Sequence, residues 1–285
     1  MSILTEFYYL MIIAVAFGLL FYGLHRSLRR QDRLHAESNL QQLLLLRALT
    51  ADLQKHRGLT SAVLNGDTSM AQDMENIRQR VNQHIATAES CKSTHKETWF
   101  GIIDHWSRMR EGRSQDPENN LKQHNLIIRN CIFLMEDIAC EVDLTQGKAE
   151  LAYLTCIWRE VIPAAEWAGQ ARALGASIAA TGYSSPAQRV RLQFLYEKIE
   201  QLSGDAFHTL QAHLAAHPET TGFQLQKQEA VMAEFLTCIK SELLSTASPG
   251  IDAKSYFKRA TESIDALFAL VDIALHQVQS QKLKY

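Results

Sequence analysis

The sequence predicts an all-α protein with one N-terminal transmembrane helix followed by a helical domain made of two similar halves. Three observations support this fold class. Residues 7–24 form an uncharged apolar run, apolar side chains then recur at three- and four-residue intervals, and two similar segments occur in the two halves. With 285 residues, 46% of them hydrophobic, the chain is long enough to bury at least one substantial core.

The apolar run at residues 7–24 has the features of a transmembrane helix. It is long enough to approach the ~30 Å hydrocarbon core of a bilayer. Tyr8, Tyr9 and Tyr22 lie near its ends, where interfacial aromatic residues are common. A cleaved signal peptide is the alternative, but no basic residue precedes the run and no small-x-small cleavage site follows it. We therefore predict a transmembrane anchor at residues 1–25.

A basic stretch at residues 26–36 follows the apolar run and is expected to form a juxtamembrane helix. Its arginines lie at positions 26, 29, 30 and 33. By the positive-inside bias, they place the C-terminal bulk in the cytoplasm, in a protein that crosses the inner (cytoplasmic) membrane once. The five cysteines are odd in number and contain no C-x-x-C pair, which agrees with a reducing compartment.

Turn and capping signals separate the helices beyond the anchor. The first helix contains no proline and is expected to continue to about Leu64, before the sequence NGD. Asp116-Pro117 and Ser185-Pro186 are predicted helix starts, because proline is favoured at the first helical position. His217-Pro218 ends a helix, and the sequence STASPGID precedes a last helix from about Ala253 to Lys282. Seven to nine helices result.

A weak internal repeat links the two halves of the chain. Residues 54–64 align with residues 169–179, so that Arg57 matches Arg172. The separation is too long for a solenoid repeat and suits two duplicated helical halves. The helical domain is expected over residues 37–285, with halves of about 37–147 and 148–285 divided at Gly147.

Arg57 and Arg172 each lie in a helical stripe of apolar or small residues, where a core side chain is expected. An unpaired charge in such a place is costly, so each arginine needs a partner. A carboxylate of the same chain is one option. A small planar oxyanion is the other, because the guanidinium fork binds such anions through two hydrogen bonds. The candidate carboxylates are Asp52, Glu160, Glu166 and Asp265.

Three segments of the chain resemble the signature segments of the nitrate- and nitrite-sensing (NIT) domain family. They are LQKHRGLTSAVL, AAEWAGQARALGAS followed by SSPAQRVRL, and SYFKRATESIDAL, in the family's order over roughly residues 37–280. The resemblance implies two up-down four-helix bundles that face each other, with nitrate or nitrite held between arginines of the signature helices. The full expected architecture is one transmembrane helix followed by these two bundles.

The resemblance also implies roles for individual residues. Arg57 matches the arginine of the family's Q-x-x-R-G segment, and Arg172 matches that of the E-x-x-G-Q-x-R segment. Both are therefore expected to bind the anion, without a metal or another cofactor. The supporting residues expected around them are Gly58, Glu166, Gly169, Gln170 and Thr261.

Two positions depart from the family pattern. His56 stands where members commonly have Glu, which removes a carboxylate that would orient or neutralise Arg57. Ser263 stands where many members have a basic residue. Arg259 lies four residues before Ser263 on the same helical face, and we predict that it is the third ligand-binding arginine.

Other functional classes have little support in the sequence. The net charge of −2 and the pI of about 6.6 argue against direct nucleic-acid binding. His213 and His217 have a metal-ligand spacing, as do Cys91 and His95, but no third ligand is near either pair. No catalytic base–nucleophile pair or nucleotide-binding motif occurs, so an enzyme is not expected.

The leading hypothesis is therefore a membrane-anchored cytoplasmic sensor that binds nitrate or nitrite and signals by a helix shift. Because the chain ends at Tyr285, soon after its last helix, output is expected through a partner. That partner is a separate kinase, cyclase or chemoreceptor, or an identical subunit paired through Leu40 to Leu49. The alternative is a helical scaffold or adaptor of a membrane-associated signalling complex, whose arginines are paired internally and bind no anion.

Overall fold

The computed structural model is helical. Within the described residues there are eight α-helices, labelled α1 to α8 below, a short 3₁₀ helix Thr68–Met70 and no strand. This confirms the predicted all-α class. The described residues are 2–66, 68–91, 93–111, 116–141, 151–218, 220, 222–246 and 248–282, without the side chains at 2–6, 10, 12, 14, 281 and 282.

The first half of the chain contributes four helices. They are α1 Ser2–Leu64, α2 Ala71–Ser90, α3 Lys96–Arg110 and α4 Pro117–Glu141. α1 packs against α2 and α4, and α3 also packs against both, which is the arrangement of a helical bundle. The predicted continuation of the first helix to Leu64 is confirmed.

The second half also contributes four helices. α5 comprises Leu154–Cys156, a π-helical turn Ile157–Val161 and Ile162–Thr181, and α6 is Pro186–Ala216. α7 comprises Leu225–Cys238 and a π-helical turn Ile239–Leu244, and α8 is Ala253–Lys282, as predicted. α5 and α7 each pack against α6 and α8. The predicted division at Gly147 lies outside the described residues.

Local chemistry explains where several helices begin and end. The Asp116 carboxylate accepts a hydrogen bond from the Asn119 N–H at 2.7 Å, which satisfies one free donor at the start of α4. Ser185 and Gln188 form a reciprocal capping box at the start of α6. Gly182 ends α5 with φ of +66°, a left-handed conformation that costs glycine little. Both predicted X-Pro helix starts are therefore confirmed.

The π-helical turn of α5 lies directly before Pro163. Proline has no N–H to donate to the preceding turn, and its ring clashes with the carbonyl four residues earlier. Widening the helix at Ile157–Val161 accommodates the ring without ending the helix. α5 therefore continues as one helix through Arg172.

The two bundles face each other along one seam. α1 packs against α5 and α8, and α4 packs against α5. α5 is rich in alanine and glycine, so its axis lies close to its neighbours. We use the term seam for the part of the contact between α1, α5 and α8 that surrounds Arg57 and Arg172. Arg47, ten residues earlier on α1, pairs with Asp272 of α8 outside this part.

The N-terminal part of α1 extends away from the bundles. Every described side chain from Phe7 to His35 is exposed, and Asn39 is the first that is buried. A search of the described residues finds no helix with the length and apolar character needed to cross a bilayer. The transmembrane anchor predicted at residues 7–24 is therefore not supported; positions 10, 12 and 14 of that run lie outside the described side chains.

The leucine-rich part of α1 belongs to the chain's own core. Leu40, Leu43, Leu46 and Leu49 are buried, because α1 turns this face toward α2 and α4. These four leucines are therefore not available for the predicted pairing of two subunits through Leu40 to Leu49. Leu44 in the same stretch is exposed, and the pairing stays a prediction.

Candidate functional site

Arg57 lies in the seam and is bound to a carboxylate of the opposite bundle. Its Nη1 donates to Glu166 Oε1 at 2.5 Å and its Nη2 donates to Glu166 Oε2 at 3.3 Å. Nη1 also donates to Asn125 Oδ1 of α4 at 2.6 Å. Arg57 is only 1% exposed, so this ion pair is buried. Of the four carboxylates that the sequence offered, Glu166 is thus the partner of Arg57.

The Glu166 carboxylate is saturated with hydrogen bonds. Besides the two bonds from Arg57, it accepts one from Gln54 Nε2 at 2.9 Å and one from Gln170 Nε2 at 2.9 Å. Four N–H groups therefore fill its acceptor sites, as a buried carboxylate requires. The donors come from α1 and α5, so Glu166 joins the two halves of the protein.

Arg172 lies in the same seam but has no carboxylate partner among the described residues. Its Nη1 donates to Thr261 Oγ1 at 3.0 Å, and its Nη2 donates to the Gln54 carbonyl oxygen at 3.0 Å. The Phe257 ring lies 4.8 Å from its guanidinium carbon, in a cation–π contact. These neutral groups orient the guanidinium, which forms no direct ion pair; Asp265 and Glu166 attract its charge only from a distance.

The two arginines influence each other. Arg172 is 1% exposed, and burial followed by repulsion from Arg57 lowers its pKa from 12.5 to about 10. The side chain therefore remains charged at neutral pH, at a cost in free energy. The Nε–H of Arg57 and the Nε–H of Arg172 are buried and have no hydrogen-bond partner. An acceptor with negative charge would satisfy these donors.

Glycines give the arginines their space. A Cβ on Gly169 would lie 2.6 Å from Arg57 Nη2, so only glycine lets that guanidinium reach Glu166 along the α5 surface. A Cβ on Gly58 would lie 3.2 Å from the ring of Phe257, which contacts Arg172. The two glycines that the sequence analysis singled out thus have direct steric roles at the site.

The structure does not bring Arg259 to the other two arginines. Its side chain is exposed and lines a groove of about 570 Å³ between α7 and α8, beside Glu234 and Glu242. Thr261, two residues further on, instead contacts Arg172. Ser263 is buried and donates to the Ala260 carbonyl at 2.8 Å. In this conformation the seam therefore contains two arginines rather than three.

His56, the other departure from the family pattern, forms a pair of its own. Its Nδ1 lies 2.8 Å from His124 Nε2, and His124 Nδ1 lies 2.9 Å from the Asn120 carbonyl. That carbonyl can only accept, so His124 Nδ1 donates to it and His124 Nε2 accepts from His56. Burial lowers the pKa of His56 to about 4 and holds that of His124 well below its usual value. Both imidazoles are therefore neutral.

A surface groove leads to Glu166. It has a volume of about 620 Å³ and lies between α4, α5 and α6. Arg191 on its wall donates to Gln170 Oε1 at 2.6 Å, and Gln170 in turn donates to Glu166. This chain of hydrogen bonds connects the protein surface with the seam.

Comparison with known families gives a match that spans most of the chain. The family described as "Nitrate and nitrite sensing" matches residues 48–279, which is most of the chain. The protein belongs to the nitrate- and nitrite-sensing domain family. The match contains both arginines of the seam and all five supporting residues. It confirms the resemblance found in the sequence.

Solved structures extend the comparison for this nitrate- and nitrite-sensing domain. The structure of the NasR transcription antiterminator is similar with a TM-score of 0.60 and 19% sequence identity, over 92% of this chain and 73% of that one. At this identity the similarity concerns the fold. A search of curated proteins finds no match.

Sequence reasoning missed several residues of the site. Gln54 has a visible signal, since it is the glutamine of the Q-x-x-R-G segment, and its amide and carbonyl contact Glu166 and Arg172. Asn125 and Phe257 carry no signal that distinguishes them from other helical residues. Within the described part of the chain, no group of three metal-binding side chains is found.

Proposed function

We propose that this nitrate- and nitrite-sensing domain binds one nitrate or nitrite ion in the seam, beside Arg172 and Arg57. The observation that carries the proposal is Arg172, a buried guanidinium that forms no ion pair with a carboxylate among the described residues. The family membership supplies the identity of the ligand.

The chemistry of the seam fits a small, planar anion. A guanidinium offers parallel N–H groups in one plane, which match two oxygens of a trigonal oxyanion. The unpartnered Nε–H groups of both arginines are further donors. Phe257 and the alanine-rich surface of α5 keep the site dry, which strengthens attraction between ions.

Occupancy would be reported by a shift of the seam helices. Arg172 of α5 is bound to α1 through the Gln54 carbonyl and to α8 through Thr261, so an anion that draws its guanidinium away loosens both contacts. The anion shifts the equilibrium between two helix arrangements only if it binds one arrangement more tightly than the other. A useful coupling free energy is about 1–3 kcal/mol. We propose that a separate kinase, cyclase or chemoreceptor receives this shift. A location at the inner membrane stays a prediction.

The second candidate function is a helical scaffold that binds no anion. The buried Arg57–Glu166 pair favours it, because an arginine that is paired internally needs no external partner. The two functions differ in how the folded chain responds to anions.

The deciding experiment measures thermal unfolding and calorimetric binding of the full chain with nitrate, nitrite, chloride and sulfate. Nitrate or nitrite at 100 times its dissociation constant is expected to stabilise the protein by about 2.7 kcal/mol. Arg172→Met is expected to abolish the response. Arg259→Met, which removes an exposed arginine of α8, is the matched control and should leave the response intact.

One result would overturn the sensor function, and two others would change the assignment of its site. A folded wild-type protein without a response to nitrate or nitrite would support the scaffold. A response that survives Arg172→Met would place the anion elsewhere, and loss of the response in Arg259→Met would restore Arg259 as a ligand.

A further inference from the structure

Glu166 occupies the position that an external anion would take on Arg57. Its carboxylate is planar, is held by both terminal nitrogens of Arg57 and receives two more N–H groups from Gln54 and Gln170. Arg57 thus already has an anionic partner, which the chain itself supplies.

The seam therefore contains a definite net charge. Arg57 and Arg172 contribute two positive charges and Glu166 contributes one negative charge, and all three side chains are at least nine-tenths buried. The nearby His56–His124 pair is neutral because burial lowers the pKa of both imidazoles. Asp265, whose charge also acts on Arg172, is exposed to solvent and screened by it. The buried side chains of the seam therefore carry one net positive charge.

We propose that Glu166 is the specificity-determining residue of the site: by neutralising Arg57 it restricts the seam to a single monovalent anion. This inference rests on the proposed function, because it concerns the selectivity of the same site. One nitrate or nitrite ion makes the seam neutral. A dianion such as sulfate leaves it with a net negative charge in a place from which water is excluded.

The position of Glu166 also places it beside a route from the surface. Its side chain lines the groove between α4, α5 and α6, and so do Asn125 and Gln170, its partners around Arg57. The basic side chains of Lys122, Arg129 and Arg191 line the same groove and attract anions of either charge. Selection against a dianion therefore depends on the net charge of the seam.

The test compares Glu166→Gln with the wild-type full chain by calorimetric titration with sodium nitrate and with sodium sulfate. The variant keeps the shape of the side chain and raises the net charge of the seam by one. Nitrate is expected to bind at least 10-fold more tightly, and sulfate, which the wild type rejects, is expected to bind. Glu262→Gln makes the same change on the exposed face of α8 and should alter neither affinity.

A double variant that exchanges the side chains of residues 54 and 166 tests whether selectivity depends on the net charge of the seam or on the structure around Glu166. In Gln54→Glu combined with Glu166→Gln, the carboxylate moves across the existing 2.9 Å hydrogen bond and the net charge returns to its wild-type value. If charge decides selectivity, this double variant rejects sulfate again. It also remains informative if Glu166→Gln alone fails to fold.

The outcomes distinguish this inference from the proposed function. If the wild type binds nitrate and the folded Glu166→Gln variant still rejects sulfate or binds nitrate more weakly, the role of Glu166 is refuted and the sensor function stands. Failure of the swapped variant to reject sulfate refutes the role as well. If the wild type binds neither nitrate nor nitrite, the proposed function itself fails.

Discussion

Arg57 donates to both carboxylate oxygens of Glu166, so this arginine and this glutamate compensate each other inside the protein. Arg172, equally buried in the same seam, has no such partner among the described residues. Arg57 and Arg172 occupy equivalent positions of the internal repeat but thus contribute differently to the stability of the fold. Replacing them should have unequal consequences for the free energy of unfolding.

Arg57→Met is expected to destabilise the fold by about 3–5 kcal/mol. The substitution leaves Glu166 as a buried charge with only two amide donors, and removing one member of a buried pair typically has this cost. Urea unfolding of the full chain measures the change. Arg108→Met is the control, because Arg108 forms an exposed pair with Asp104 at 2.9 Å worth less than about 1 kcal/mol. Equal effects of the two substitutions would contradict the assignment.

Arg172→Met is expected to cost less than about 1 kcal/mol or to stabilise the protein. The substitution removes an uncompensated buried charge, and the relief of that penalty offsets the lost contacts with Thr261 and Phe257. The same urea titration measures it. A decrease in the free energy of unfolding as large as that of Arg57→Met would mean that the charge of Arg172 is compensated in the folded protein.

Gly175→Ala is expected to destabilise the fold by about 1–3 kcal/mol. A Cβ at this position would lie 2.2 Å from Tyr256 Cζ, and Tyr256 is fully buried with its hydroxyl bound to the Ala171 carbonyl at 2.9 Å. Movement of the ring would disturb this hydrogen bond and the contact with Phe235, whose ring centre is 5.8 Å away. Thermal unfolding checks the prediction.

Gly204→Ala is the matched control for this substitution. Gly204 is also helical, but a Cβ there meets nothing within 4 Å, so alanine should stabilise α6 by about 0.4–1 kcal/mol. Similar melting temperatures for the two variants would show that Tyr256 does not restrict Gly175.

The stability of the fold is expected to fall as the pH decreases from about 6.5 to about 4. Burial lowers the pKa of His56 from 6.5 to about 4, so in this window the unfolded chain binds a proton that the folded chain does not. Above about pH 6.5, His56 is neutral in both the folded and the unfolded chain, so it causes no loss of stability there. The slope is at most about 1.4 kcal/mol per pH unit for each such histidine, and His124 contributes in the same direction.

Unfolding free energies measured at several pH values test this expectation. The double variant His56→Leu with His124→Leu should show a smaller slope between pH 6.5 and 4, whatever its stability at pH 8. His208→Gln removes an exposed histidine and should keep the wild-type slope. An unchanged slope in the double variant would assign the acid sensitivity to other groups.

The parts of the fold that the sequence predicted are those decided by local chemistry. Periodic apolar residues and the absence of proline define α1 up to Leu64, and capping by Asp116 and Ser185 sets the starts of α4 and α6. These interactions lie within a few residues of one another in the chain. The π-helical turn was not predicted, because Pro163 signals a disturbance of α5 but does not tell whether the helix widens or ends there.

The site was predicted in part for the same reason. A charge in an apolar stripe predicts a buried arginine, and both Arg57 and Arg172 are buried. Helical spacing also assigned Arg259 to the face of Ser263, but spacing does not tell how far a neighbouring helix covers that face. Ser263 is covered and Arg259 is at the exposed edge. The choice of Glu166 among four carboxylates likewise depends on how the bundles face each other.

Arg57 shares one uninterrupted helix with the N-terminal residues that project beyond the bundles. From Ser2 to Ser38, before the first buried residue, this projection is about 55 Å long at 1.5 Å per residue. A rotation of only about 5° where α1 meets the seam would move the N-terminal end of this projection by roughly 5 Å. Under the proposed function, α1 would thus act as a lever that converts a small movement of a guanidinium into a displacement large enough for another protein to detect.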